Sequence, residues 1–210
     1  MKYKVMIVED QTMPRELFEL RVQASERFEL ALSSDNAALA DVYCLRFPVD
    51  LILMDVITRD GENGLDAAAR IKRAFPQIKI IIVTSMPECS YLKRAKEIGV
   101  ESFWYKEEQR ESLLDVMERT MNGESVYPGA SPELTLGMAS SYQFTERELD
   151  ILREITSGDT NQEIADRLNM SVATVKTHIL NMLEKTGFRN RTELAVRARE
   201  SGLVILNRRN

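Results

Sequence analysis

The chain is poor in the residues that build thiol and metal-thiolate chemistry. Its two cysteines, Cys44 and Cys89, form no CxxC pair, and its one histidine, His178, stands at ligand spacing to neither. They read as buried or free thiols in a reducing cytoplasm, not as a disulfide or a zinc site. Long apolar runs are missing too, since none approaches the roughly 18 residues of a membrane helix. The opening Met1-Lys2-Tyr3-Lys4 leads into a short apolar stretch that stops at Glu9-Asp10, which gives no targeting segment and no membrane association. With 44% hydrophobic and 29% charged residues there is no sign of disorder. A large excess of one charge is lacking as well, and a net charge of −5 does not by itself point to nucleic acid. Its distribution is more informative. From Tyr142 onward 11 Lys+Arg face 10 Asp+Glu, a balance of +1, which leaves −6 for the rest. A length of 210 residues is comfortable for two domains.

What is present begins with a rhythm. Short apolar runs at Lys4–Val8, Phe28–Leu32, Leu51–Met54, Ile78–Val83 and Ser102–Tyr105 read as strands. Helical spacing fills the intervals at Arg15–Ala24, Ala37–Arg46, Leu65–Ala74, Tyr91–Ile98 and Glu111–Met121. Such alternation predicts an α/β domain over 1–121, a doubly wound parallel five-stranded sheet covered on both faces. Ligands of these sheets bind outside the carboxyl ends of the strands. The first strand stops at Glu9-Asp10, the third at Asp55, the fourth at Thr84-Ser85 and the fifth at Lys106. Three carboxylates at one edge repel one another and take up protons unless a cation joins them. Mg²⁺ is the cation expected, because it favours carboxylate oxygens, waters and phosphate oxygens. A carboxylate beside it can attack a phosphoryl group and form an acyl phosphate. Lys106 would neutralise the phosphoryl charge and the Thr84 hydroxyl would donate to it.

The segments Val5-Met6-Ile7-Val8-Glu9-Asp10, Asp50-Leu51-Ile52-Leu53-Met54-Asp55, Ile82-Val83-Thr84-Ser85 and Gly99-Val100-Glu101-Ser102-Phe103-Trp104-Tyr105-Lys106 resemble the flavodoxin-like receiver domains of two-component response regulators. The resemblance implies that Asp55 is the phosphoacceptor, with Glu9, Asp10, Asp55 and the Ile57 backbone carbonyl around Mg²⁺. It gives Thr84 and Lys106 to the phosphoryl group and Phe103 to an aromatic switch position. Two departures stand out. The loop after Asp55 lacks the family's Met-Pro turn and reaches Gly64 at the ninth position instead of the eighth. Lys106 is followed by Glu107 where a proline is common.

Residues 122–141 are rich in Gly, Ser and Pro and read as a linker, with a short helix expected near Pro132–Met138. Beyond it, over 142–210, helix starts come in quick succession. Thr145 with Glu148 forms a capping box beside a Phe144–Leu149 hydrophobic staple. Thr160 with Glu163 opens Asn161–Leu168, Ser171 caps Val172–Thr186, and Asn190 with Glu193 starts a fourth helix that Gly202 closes. Only Asn169-Met170 separates the middle pair, which fits a helix-turn-helix in a small all-α domain of four helices. Along the third helix Val175, Ile179, Met182 and Leu183 would face the core. Thr174, Thr177, His178, Asn181 and Lys185 share the other face, with Lys176 on its flank, and could reach phosphates and base edges of double-stranded DNA.

Phe144-Thr145-Glu146-Arg147-Glu148, Asn161-Gln162-Glu163-Ile164-Ala165, Thr174-Val175-Lys176-Thr177-His178 and Asn190-Arg191-Thr192 resemble the LuxR-type helix-turn-helix. With a receiver in front, the architecture is similar to the NarL/FixJ class of response regulators. That likeness places Lys176, Thr177 and Leu180 in the groove, although a polar or basic residue is common where Leu180 stands. It implies a cytoplasmic transcription factor with a sensor histidine kinase as phosphodonor and a homodimer that forms on phosphorylation. Two other readings remain: a phosphorylation-independent DNA-binding regulator, and a Mg²⁺-dependent phosphohydrolase. Against the second, Ile57 occupies the place where an acid/base carboxylate would be needed.

Overall fold

The computed structural model describes residues 2–59, 63–85, 89–106 and 111–204. The chain forms two compact units, one from Met1–Ser85 and Tyr91–Ala130, the other chiefly from Ser131–Asn210. Among the described residues no helix is long and apolar enough to cross a membrane.

The first unit alternates β1 (Tyr3–Val8), α1 (Thr12–Gln23), β2 (Phe28–Ser34), α2 (Ala40–Arg46), β3 (Leu51–Met54), α3 (Gly64–Ala74), β4 (Lys79–Thr84), α4 (Cys89–Ile98), β5 (Ser102–Tyr105) and α5 (Leu113–Met121). The strands pair in parallel in the order β2-β1-β3-β4-β5, the doubly wound arrangement expected. β3 is buried at every position, as a strand covered on both faces must be. The register sets Val8 beside Met54, Met54 beside Ile82 and Thr84 beside Tyr105, so the strands end nearly level. α1 begins three residues before the expected start, at Thr12, and carries Pro14 in its first turn. That position tolerates proline, because the first turn's N–H groups have no partner within the helix.

The second unit opens with a hairpin, not the short helix expected near Pro132–Met138. β6 (Thr135–Leu136) pairs antiparallel with β7 (Ala139–Ser140) through a Gly137-Met138 turn, and a short 3-10 turn follows at Ser141–Gln143. Gly137 takes φ 63°, which suits a two-residue hairpin turn with glycine first. A Cβ there would stand 2.1 Å from the Thr186 carbonyl, whose oxygen accepts from the Met138 N–H at 3.0 Å. Tertiary anchoring has overridden the local helical pattern.

Four helices follow: α6 (Glu146–Thr156), α7 (Asn161–Arg167), α8 (Val172–Thr186) and α9 (Arg191–Ser201). Both capping boxes form, Thr145 with Glu148 and Thr160 with Glu163. Asn169 turns the chain between α7 and α8 at φ 51°, a left-handed conformation that its short polar side chain tolerates. Leu149, Ile151, Leu152, Ile164, Val175, Met182 and Leu194 make the core.

Candidate functional site

Main-chain hydrogen bonds between strands hold the residues at the carboxyl edge of the first unit. Glu9 N–H donates to Ser34 at 2.9 Å, Asp55 N–H to Val8 at 2.9 Å and Lys106 N–H to Thr84 at 2.9 Å. Glu9, Asp10 and Asp55 each bring a carboxylate oxygen within 4.8 Å of the others. Lys106 Nζ lies 2.5 Å from Glu9 Oε2 and 2.8 Å from Asp55 Oδ2. Glu9 is 1% exposed, Asp55 6% and Thr84 fully buried, while Asp10 is half-buried. The structure thus brings five of the sequence-derived positions to one edge.

The electrostatics follow from that crowding. Burial pushes Glu9 up to about 7, the Asp55 charge adds to the rise, and Lys106 works against it. Burial raises Asp55 as well, opposed by Lys106 and by the Val56 and Ile57 amides. For Lys106 burial disfavours the ammonium, but Asp55 and Glu9 outweigh it and raise its pKa. Three oxygen donors strained by shared charge are the donor set that a hard divalent cation fits. Val56 N–H donates to Asp55 Oδ1 at 2.7 Å, which leaves Oδ2 toward Lys106 and the cluster.

Two further residues, Gly64 and Thr58, support this edge through contacts that no local pattern encodes. Gly64 N–H donates to Val56 at 2.8 Å, and a Cβ on Gly64 would meet the Asp55 carbonyl oxygen at 1.8 Å. The start of α3 therefore lies against the Asp55 backbone, and glycine is required for approach, not for its φ. Thr58, buried, accepts from Ala37 N–H at 3.0 Å and pins the loop after β3 to the loop after β2. The extra residue of that loop and the peptide bond from Lys106 to Glu107 lie outside the described residues. Cys44 is a half-buried free thiol, pushed up to about 11 by burial and then by Asp41, so it is a poor nucleophile at neutral pH. The Cys89 side chain also lies outside the described residues.

In the second unit Thr174, Lys176, Thr177, Leu180 and Asn181 are exposed along α8, and His178 is half-buried. Leu180 is 56% exposed. Ser171 caps α8 by accepting from Thr174 N–H at 3.0 Å, and Thr177 Oγ1 donates to Ala173 at 3.0 Å. Lys185 is set apart from this row. Its ammonium lies 2.7 Å from Glu148 Oε2 and donates to the Gln143 carbonyl at 2.9 Å. Glu148, buried at the start of α6, is a structural partner that the spacing along α8 could not reveal. Arg191 likewise staples α9 to α7, with Asn161 Oδ1 at 2.6 Å and the Asp159 carbonyl as partners.

Burial alone would raise the Glu148 pKa. The Lys185 hydrogen bond, the Thr145 amide and hydroxyl, and the Lys185 charge outweigh it, and the pKa falls below the usual 4.5. A lowered carboxylate pKa contributes stability that is present above the unfolded value, about 4.5, and is lost as pH falls through the lower folded value. Thermal melts of wild type and Glu148→Gln are therefore expected to differ most near pH 6 and to converge in strong acid, once pH has fallen through the lowered folded value. The gap near pH 6 should be about 1–3 kcal/mol. Equal gaps at both pH values would remove Glu148 from this role.

The fold and the strand-edge cluster define a receiver, and the capped helices a DNA-reading module. Residues 5–118 match the family described as response regulator receiver domain, and residues 142–198 match bacterial regulatory proteins of the luxR family. The chain belongs to the response regulators, as a transcription-regulating member with a LuxR-type DNA-binding domain and not an enzyme. Over 97% of its length it is 33% identical to the response regulator protein VraR of Staphylococcus epidermidis, covering 100% of that protein. VraR of Staphylococcus aureus is 34% identical over 97% of this chain and 100% of its own. Among solved structures, RcsB of Salmonella enterica serovar Typhimurium, bound to promoter rprA with phosphomimetic BeF3−, superposes with a TM-score of 0.60. It covers 94% of this chain and 98% of its own, with 17% sequence identity.

Proposed function

We propose that a partner histidine kinase phosphorylates Asp55 and that the phosphoryl group controls dimerisation and sequence-specific DNA binding. The observation that carries this reading is the convergence of Glu9, Asp10 and Asp55 within 4.8 Å, with Lys106 resting on two of them. Glu9, Asp10, Asp55 and the Ile57 carbonyl would hold Mg²⁺, which when bound offsets carboxylate charge and aligns phosphoryl oxygens. Asp55 Oδ2 attacks phosphorus, the P–N bond to the kinase histidine breaks, and the freed imidazole keeps the electron pair. Lys106 then exchanges a carboxylate partner for a phosphoryl oxygen, and Thr84 donates to another. Phe103 follows Thr84.

The reading assigns 1–121 to the receiver, 122–141 to the link and 142–210 to DNA. In the DNA unit Lys176 and Thr177 face the groove, with Thr174, His178, Leu180 and Asn181 beside them. A balance of +1 after Tyr142 supplies few phosphate contacts, so one copy binds weakly and two copies on adjacent half-sites bind far more tightly. RcsB, solved as dimers on DNA and with a phosphomimetic, supports the same arrangement here. Such a protein works in the cytoplasm, where its DNA lies.

Selection of bound DNA from a random pool by the full chain tests the reading. With Mg²⁺ and beryllofluoride, paired half-sites about 10 bp apart should be enriched. Equal enrichment without beryllofluoride defeats the switch, and no enrichment in either arm defeats DNA reading.

A further inference from the structure

The strand that ends at Lys106 also begins an aromatic row. Tyr105 and Phe103 have ring centroids 5.0 Å apart, and Tyr127 lies 6.3 Å from Phe103. Tyr127 belongs to no strand or helix. It follows α5 in the segment that leaves the receiver unit. That segment runs beside β5, the outer strand of the sheet. Phe103 N–H donates to the Val126 carbonyl at 2.8 Å, and Val126 N–H donates to the Ser102 hydroxyl at 3.1 Å. The Tyr127 hydroxyl donates to the Val100 carbonyl at 2.7 Å. Lys96 of α4 sets its ammonium 5.0 Å from the centre of the Tyr127 ring, and Arg119 of α5 pairs with Glu124 at 2.7 Å. The exit segment is therefore tied to Phe103, the residue to which the reading above gives the switch role, by main chain and by ring.

Resting on the phosphorylation reading above, we propose that Glu124–Tyr127 is a latch. It is closed on Phe103 before phosphorylation and released after it, and the release frees the DNA-binding unit to pair. A shift of the Phe103 side chain toward Thr84 withdraws the surface on which Tyr127 packs. The ties are individually weak: a ring pair, a cation over a ring, an exposed ion pair and single hydrogen bonds between neutral groups. A device meant to open should be held this way, because each tie is small against the change at the acyl phosphate. Once free, residues 124–130 form a tether with a root-mean-square reach of roughly 15 Å. Added to each of two chains, that reach is on the scale of the roughly 34 Å between half-sites one turn apart.

The test uses the full chain, wild type and Tyr127→Ala. Three quantities are followed with and without Mg²⁺ and beryllofluoride: labelling of Asp55 by acetyl phosphate, DNA affinity, and amide exchange over residues 122–130. In the wild type beryllofluoride should raise exchange across that segment at least tenfold. Tyr127→Ala should show the fast exchange without beryllofluoride, bind DNA at least fivefold more tightly than untreated wild type, and label Asp55 at the wild-type rate. If beryllofluoride tightens wild-type DNA binding while the segment stays protected, the latch is wrong and the phosphorylation reading survives. A Tyr127→Ala chain with the affinity of untreated wild type overturns the latch in the same way. If wild-type affinity ignores beryllofluoride, the phosphorylation reading itself falls.

Discussion

Asp55→Ala is expected to reduce phosphate incorporation from acetyl phosphate by at least about a hundredfold, because in the proposed function the substitution removes the attacking oxygen itself. Chelation of divalent cations from the wild type should produce a loss of similar size, for a different reason. Glu9 and Asp55 are buried, and the Lys106 ammonium stands against them at 2.5 Å and 2.8 Å. A phosphoryl group brings further negative charge to this edge, and one ammonium cannot hold two carboxylates and a phosphoryl group together. Mg²⁺ added back should restore labelling of the wild type and leave Asp55→Ala unlabelled. Wild-type labelling that continues undiminished in excess chelator would sever the carboxylate cluster from the chemistry. Retained labelling of Asp55→Ala would move the acceptor elsewhere.

Lys176→Ala is expected to weaken DNA binding about tenfold or more per dimer and to flatten its salt dependence. Lys176 is exposed on α8, where its ammonium can neutralise a phosphate. Each phosphate contact contributes about 0.9 to the slope of log affinity against log salt, so a dimer losing two contacts should lose about 1.8. The melting temperature should not move, since the side chain is exposed on α8. Lys185→Met should do the reverse. Its ammonium is held by Glu148 at 2.7 Å and by the Gln143 carbonyl at 2.9 Å, so its loss strands a buried carboxylate. The expected outcome is a lower melting temperature with an unchanged salt slope. A steeper loss of slope for Lys185→Met than for Lys176→Ala would reverse the two assignments.

These two lysines show how far a pattern along one helix can be read. Both fall on or beside the polar face of α8, and spacing alone treats them alike. Only tertiary packing brings the start of α6 against the end of α8 and gives Lys185 a partner 37 residues away in the chain. The hairpin at β6 and β7 has the same lesson. Pro132–Met138 has the composition of a short connecting helix, yet the Thr186 carbonyl accepts from Met138 and the Gly137 backbone turns to allow it. Gly64 stands out in the sequence only by its family position and Tyr127 not at all, because their importance lies in what approaches them. One leaves room for the Asp55 carbonyl, and the other meets Phe103 from outside the sheet.

The sequence by itself determined the alternation of strand and helix, the capped helices, and the residues standing at the strand ends. These are local properties: hydrophobic period, cap chemistry and chain order need no distant partner. A doubly wound sheet then obliges Glu9, Asp10, Asp55, Thr84 and Lys106 to share one edge. Tertiary structure alone decided which charges are already matched, where only glycine fits, and how the exit segment is fastened to β5. Those outcomes depend on distances between residues far apart in the chain, and no periodicity encodes them.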